Sequence, residues 1–326
     1  MTHRVSRREF LKRGIEAAAL ASLAAEVGRI DPLFAVEPSE TAARAVDLAV
    51  GTGSPEAALR KALDLLGGIG KFVKPGDFVL LKPNMSFGTP PEMGATTNPD
   101  VVRAMASECI GAGAKRILVA DHTIRPGKVS LEYTGIGPAC AGMERVTVAA
   151  LNDESQYEEV EVPLGKALKK TDIVRDVLRA DVLINLPVAK SHSATGVSFA
   201  VKNLMGLVWD RKVFHTGDLD QSIADLATLI RPQLTVMDAT QAMVQGGPSG
   251  PGRTVRLDRI IAGIDQVAID SYTISLTKWY NRTFTGSQVK HLRAAAEMGL
   301  GEVELDKLNI APDTEISGGD EDQTNH

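Results

Sequence analysis

Short apolar runs that alternate with helically spaced segments constrain this fold more than any other feature of the chain. The runs read "DFVLLKPN", "KRILVAD", "ERVTVAAL", "DVLINLP" and "LTVMDAT", and each suits a strand buried on both faces. Between them, Ser54, Pro55 and Glu56 open a helix that extends to about Leu66. Asn98 caps a second helix, with Pro99 at its first position and Gly111 or Gly113 at its end. "DIVRDVLRA" reads as a helix leading into "DVLINLP", and "YEEVEVP" alternates like an edge strand. A strand is expected in "VRLDRIIAGID", and helices in "LDQSIADLATLI", "VAIDSYTISLTKWY" and "SQVKHLRAAAEMG". Strands alternating with helices predict an α/β fold, a largely parallel doubly wound sheet with helices on both faces. At 326 residues the chain is long enough to build it as one unit or as two lobes.

The two ends carry different signals. "SRREFLKRG" follows the order of a twin-arginine export signal, with Arg7 and Arg8 before Phe10, Leu11 and Lys12 and an alanine-rich run behind them. Residues 1–35 are read as that signal, 36–44 as a linker, 45–312 as the folded domain and 313–326 as a disordered acidic tail. The expected location is periplasmic or otherwise extracytoplasmic, with the twin-arginine translocase as a partner. Glu16 and Glu26 interrupt the apolar run, so a retained anchor stays open as an alternative. No nucleic-acid partner is expected. The formal charge is −5 although the first 35 residues hold six Lys/Arg against four acids, so no concentrated basic face remains for phosphates. The two cysteines, Cys109 and Cys140, lack metal-site spacing and cannot supply the four thiolates of an iron–sulfur cluster. They are expected as buried free thiols, with one disulfide as the alternative.

In sheets of this kind, ligands collect at the carboxyl ends of the strands. Those ends read Lys82-Pro83-Asn84, Asp121-His122-Thr123, Pro187 through His192, and Asp238-Ala239-Thr240, so four strands deliver polar groups to one edge. Lys190 and His192 are expected to project from the loop after "DVLINLP". "SATGVSFAVKNLMG" spaces Val197, Val201 and Leu204 for one buried helix face, with Lys202 and Asn203 near its far end. Its start near Thr195 would offer free N–H groups to a carboxylate or phosphate. Lys190, Lys202 and Arg211 suit a small anionic ligand. His192 or His215 would move protons or, with Asp121, hold a divalent metal. The plainer alternative leaves the lysines solvated and His192 a hydrogen-bonded loop residue. "QGGPSGPGR" matches neither a phosphate loop nor a dinucleotide turn, so Gly246 and Gly247 are read as allowing a tight turn or close approach to a ligand. Three classes of function remain. They are a cofactor- or metal-assisted enzyme acting on a small anion, a non-catalytic anion-binding protein, and an accessory to a redox partner protein that carries the cluster this chain lacks.

A run of motifs in fixed order carries a resemblance. "LLKPNM", "TTNPDVVRAM", "VLINLPVAKSH", "AVKNLMG", His215 and "MDATQAMVQGGPSGPG" before "IAGIDQVAIDSY" lie between Asp77 and Tyr272 and resemble the domain of unknown function 362 (DUF362) family. The resemblance implies that Lys82, Asn84, Lys190, His192, Lys202, Asn203, His215, Asp238, Gly246 and Gly247 stand at the family's motif positions. It leaves the reaction open. Many members carry a ferredoxin-like iron–sulfur module, and the clustered cysteines of that module are missing from this sequence. "ADHTIRPGKVS" is locally similar to the Asp-x-Thr-Arg-Pro segment of the nickel-pincer lactate racemase family, with Ile124 interrupting Thr123 and Arg125.

Overall fold

A computed structural model describes residues 46–312. The signal, linker and tail expected at 1–35, 36–44 and 313–326 lie outside the described residues.

In chain order the strands are β1 (Leu48–Thr52), β2 (Phe78–Pro83), β3 (Arg116–Asp121), β4 (Val146–Ala150), β5 (Tyr157–Glu161), β6 (Lys170–Val174) and β7 (Val182–Leu186). They continue with β8 (Val188–His192), β9 (Gly196–Val197), β10 (Leu234–Gln245), β11 (Arg253–Gly263) and β12 (Ile310–Ala311). The helices are α1 (Pro55–Leu65), α2 (Pro99–Gly111), α3 (Gly127–Tyr133), α4 (Ile136–Cys140), α5 (Arg175–Arg179), α6 (Ala200–Asn203), α7 (Leu219–Leu229), α8 (Gln266–Ser275) and α9 (Lys290–Glu297).

The main sheet runs β12-β1-β11-β10-β7-β2-β3-β4, and along that path only β11 opposes its neighbours. This is the mostly parallel α/β sheet that the alternating runs predict. Strand side chains alternate between faces. Val79, Leu81, Val119 and Ile184 pack with Leu59 of α1 and Met105 of α2. Leu80, Leu118 and Leu183 pack on the other face with Val201 of α6, Ile223 of α7, Ile269 of α8 and Leu292 of α9. Two residues beyond Leu80 and Leu183, Lys82 and Asn185 therefore fall on the α6 side.

Local signals explain the boundaries that match. Asn98 Oδ1 accepts from Asp100 N at 2.9 Å at the start of α2, and Gly113 takes φ +87° just beyond its end. Three expectations need correction. "DIV" belongs to β6, which pairs with β5 in a separate two-stranded sheet, so only "RDVLR" is helical. The loop expected to carry Lys190 and His192 is a strand, β8, which follows β7 after a break at Pro187 and pairs with β10. The helix expected from Thr195 begins at Ala200, because Gly196 at φ +78° turns the chain into the β8–β9 hairpin first. Both cysteines are free and buried, and burial pushes Cys109 up to about 12 and Cys140 up to about 11. Among the described residues no helix is long and apolar enough to cross a membrane.

Candidate functional site: a cationic cavity at the carboxyl edge

The chain's polar strand ends meet under α6. Asn185 on β7 donates to Ala200 O at 3.0 Å and to Gln266 Oε1 at 2.8 Å, and it accepts from Asn203 Nδ2 at 2.8 Å. Asp270 on α8 accepts from Ala200 N at 2.8 Å and Val201 N at 3.0 Å. The free helix N–H groups expected to receive a ligand are thus taken by a side chain of the same protein. With α6 pinned at both ends, Lys202 and Asn203 are presented to the ends of β2 and β8.

Three buried lysines sit in this network with different partners. Lys82 Nζ has Asp121 Oδ1 at 2.8 Å, Pro83 O at 2.7 Å and Asn203 Oδ1 at 3.1 Å, three oxygens for three N–H groups. Lys190 Nζ donates to Ala95 O at 2.6 Å and Asn84 Oδ1 at 3.0 Å and lies over the Phe87 ring, 4.8 Å from its centre. Among the described residues, Lys202 Nζ has only the sulfur of Met205 within hydrogen-bond reach, at 3.4 Å. Burial pulls Lys190 down to about 7, with Asp121 opposing and Lys202 and Lys82 adding to the drop. Burial and the nearby Arg211 pull Lys202 down to about 8, against the pull of Asp220. Burial also lowers Lys82, which Asp121 opposes.

These groups border a cavity of about 280 Å³. Lys82, Lys202, Arg211, His192 and His215 line it, and among the described residues no carboxylate does. Asn84, Ser86, Ser198 and Asn203 add polar groups, while Phe87, Ile124, Met205 and Pro248 complete the wall. Asp121 lies beneath, held by Lys82, Met85 N at 2.9 Å and Ser86 Oγ at 3.0 Å. Gly206 covers that ion pair. A Cβ there would stand 1.9 Å from Asp121 Oδ1 and 2.6 Å from Lys82 Nζ, so only glycine fits. Arg211 donates to His122 O at 3.2 Å, which turns its guanidinium to the cavity wall.

His192 Nδ1 accepts from Ala194 N at 3.1 Å. In the neutral ring the proton then resides on Nε2, which makes His192 a donor. Burial first, then Lys202 and Lys190, push it down to about 3, so the ring stays uncharged across the physiological range. A second proton on the ring would add a buried cation beside two lysines, which disfavours the charged form of His192.

Of the site residues expected from sequence, Lys82, Asn84, His192, Lys202, Asn203 and His215 line the cavity, with His215 at its exposed rim. Lys190 stands behind it as a support. Asp238 is elsewhere: buried, it accepts from Asn98 N at 2.7 Å and from Thr240 N and Oγ1 at 3.0 and 2.7 Å, and so anchors the entry to α2. Gly246 and Gly247 do allow close approach, but to the chain itself. A Cβ on Gly246 would stand 2.5 Å from Pro251 O, and one on Gly247 would stand 1.9 Å from Ser191 O. The metal set His192, His215 and Asp121 is not assembled, because Asp121 faces Lys82. Among the described residues no group of three His, Cys, Asp or Glu stands together as a metal site. Sequence spacing singles out none of Ser86, Phe87, Met205, Gly206 and Pro248. Ser86 and Phe87 follow the Lys82-Pro83-Asn84 strand end directly, and that adjacency is the available signal.

Comparison with known proteins places the chain. It is 31% identical over 227 residues to the thylakoid-associated protein sll1697 of Synechocystis sp., covering 67% of this chain and 68% of that protein. The lactate racemase apoprotein from Thermoanaerobacterium thermosaccharolyticum superposes with a TM-score of 0.44 at 14% identity over 77% of this chain. This chain spans 56% of that protein's length. The DUF362 family model, described as a domain of unknown function, matches residues 79–275, and the chain belongs to that family.

Proposed function

We propose that the cavity binds a small organic anion, a carboxylate or phosphate compound, and that the protein acts on it as an enzyme. One observation carries this reading: among the described residues, three cations and two histidines line the cavity without a carboxylate. Cations gathered around one cavity repel one another, and Lys202 and Arg211 leave N–H groups unpaired there at about 1–3 kcal/mol apiece, so an anion relieves both costs. His192 fits as an uncharged donor to the same ligand. A divalent metal held by protein groups alone fits poorly, since Lys82, Lys202 and Arg211 oppose a dication and His192 and His215 supply only two nitrogens. A metal would have to arrive with ligands from the substrate.

The test is binding of phosphate, sulfate, lactate and malate, read by calorimetry and by thermal shift. Arg211→Ala is expected to weaken binding of the best of these by about 2 kcal/mol, on the order of thirtyfold. Unchanged affinity in that variant, or no binding by any of the four, overturns the reading. A non-catalytic anion carrier would bind in the same way and turn over none of the ligands. The paired Arg7 and Arg8 support a further proposal, export through the twin-arginine translocase. Replacing both by Lys is expected to trap the chain in the cytoplasm, and normal periplasmic recovery would count against export by this route.

A further inference from the structure

The partners of the three buried lysines separate one of them from the others. Lys82 is saturated by three oxygens, and Lys190 is fixed by two oxygens and an aromatic face. Lys202 is 9% exposed, borders the cavity, and among the described residues meets only a thioether. A site built only to attract an anion gains from giving each ammonium oxygen neighbours that keep it charged. Here the amine at the wall is left without them and beside Arg211.

We propose that Lys202 is a condensing amine, which forms an imine with the carbonyl group of a small keto or aldehyde carboxylate bound in the cavity. The inference rests on the anion-binding reading above and names its substrate class. Arg211 presents positive charge and N–H groups for the carboxylate, while Lys82 stays paired with Asp121, and His192 offers an uncharged N–H for the carbonyl side. The Lys202 nitrogen pair attacks the carbonyl carbon, and the C=O π pair moves onto oxygen. A proton passes from nitrogen to that oxygen, giving a carbinolamine. The C–O bond then breaks as the nitrogen pair forms the C=N bond, and the departing oxygen takes the remaining N–H proton and leaves as water, giving the neutral imine. No oxidant or reductant is consumed. Attack requires the free amine, and the cationic, desolvated surroundings lower Lys202 to about 8, so that far more of it is free near neutral pH than for an ordinary lysine.

The experiment exposes the full chain to pyruvate or glyoxylate with cyanoborohydride and follows intact mass and peptide maps. The expected product is one adduct per chain, heavier by the keto acid less one oxygen atom, on the peptide containing Lys202. Lys202→Arg is expected to lose it. Propanal, which lacks the carboxylate, is expected to label Lys202 roughly tenfold more slowly. Label spread over surface lysines, with none favoured at Lys202 in the unaltered protein, overturns the proposal whether or not the variant folds. Thermal shift with lactate, which has no carbonyl, separates the two readings. Stabilisation by lactate without a Lys202 adduct overturns the imine and spares the anion site. No stabilisation and no adduct overturns both.

Discussion

At the scale of single residues, the site depends on who accepts from each lysine. Asp121 neutralises Lys82 from below while Met85 N and Ser86 hold its other oxygen, so neither member of the pair can swing aside without abandoning a buried group. Gly206→Ala drives a methyl group into that pair, and the expected cost is about 3 kcal/mol of unfolding free energy, read as a lower urea midpoint. A cost near zero would show that the pair relaxes freely. Lys202→Met removes a buried ammonium whose only close partner is sulfur. Stability of the ligand-free protein is therefore expected to be unchanged or raised while phosphate and lactate binding is lost, measured by a melting curve paired with calorimetry. Lys82 and Lys190 were legible in the sequence as cations at strand ends, and Lys202 as a cation near the far end of a helix. Which of them is unsaturated was not, because the deciding acceptors Asn84, Ala95, Asn203 and Asp121 come from segments far apart in the chain and meet only on folding.

At the scale of elements, the β8–β9 hairpin and the short helix α6 are the parts that sequence spacing misread. Val197, Val201 and Leu204 do satisfy a helical period and are all buried, yet Gly196 breaks that helix and pairing with β8 claims Val197. α6 has four residues, too few for propensity to maintain it alone. Asp270 stabilises it from outside. Asp270→Ala is expected to cost about 2 kcal/mol by stripping two N–H groups of their acceptor, and to weaken anion binding as well, since Lys202 and Asn203 ride on α6. Loss of stability with binding intact would detach the helix from the site. Gly247→Ala places Cβ against the backbone of Ser191, which cannot yield as a side-chain tip can. The 246–252 loop, with Pro248 on the cavity wall, is expected to lift from β8, read as a loss of about 2 kcal/mol and weaker lactate binding.

At the scale of the whole molecule, buried lysines make stability depend on pH. Lys202 stands at about 8 and Lys190 at about 7, below the ordinary 10.5, so above pH 8 the unfolded chain binds more protons than the folded one and stability rises with pH. Asp270, pushed up to about 8 by burial, acts below that range, and the raised cysteine thiols act above pH 9. Between pH 8 and 9 the ligand-free protein is expected to gain about 1 kcal/mol per lysine, seen as a rising urea midpoint, and Lys202→Met about half the total. A flat or falling midpoint would contradict the assignment. The sequence by itself determined the alternation of strands and helices, the mostly parallel sheet, the capped start of α2 and the edge at which polar groups gather. Periodicity and capping act within a few residues and can be read locally. Only the tertiary structure decided that Asp238 leaves the site, that Asp270 fills the helix N-terminus, that Asp121 pairs with Lys82 instead of joining the histidines, and that Lys202 is left with a thioether. Each of these is a choice of partner among buried polar groups, and that choice depends on which distant segments the packed sheet and helices bring within hydrogen-bond reach.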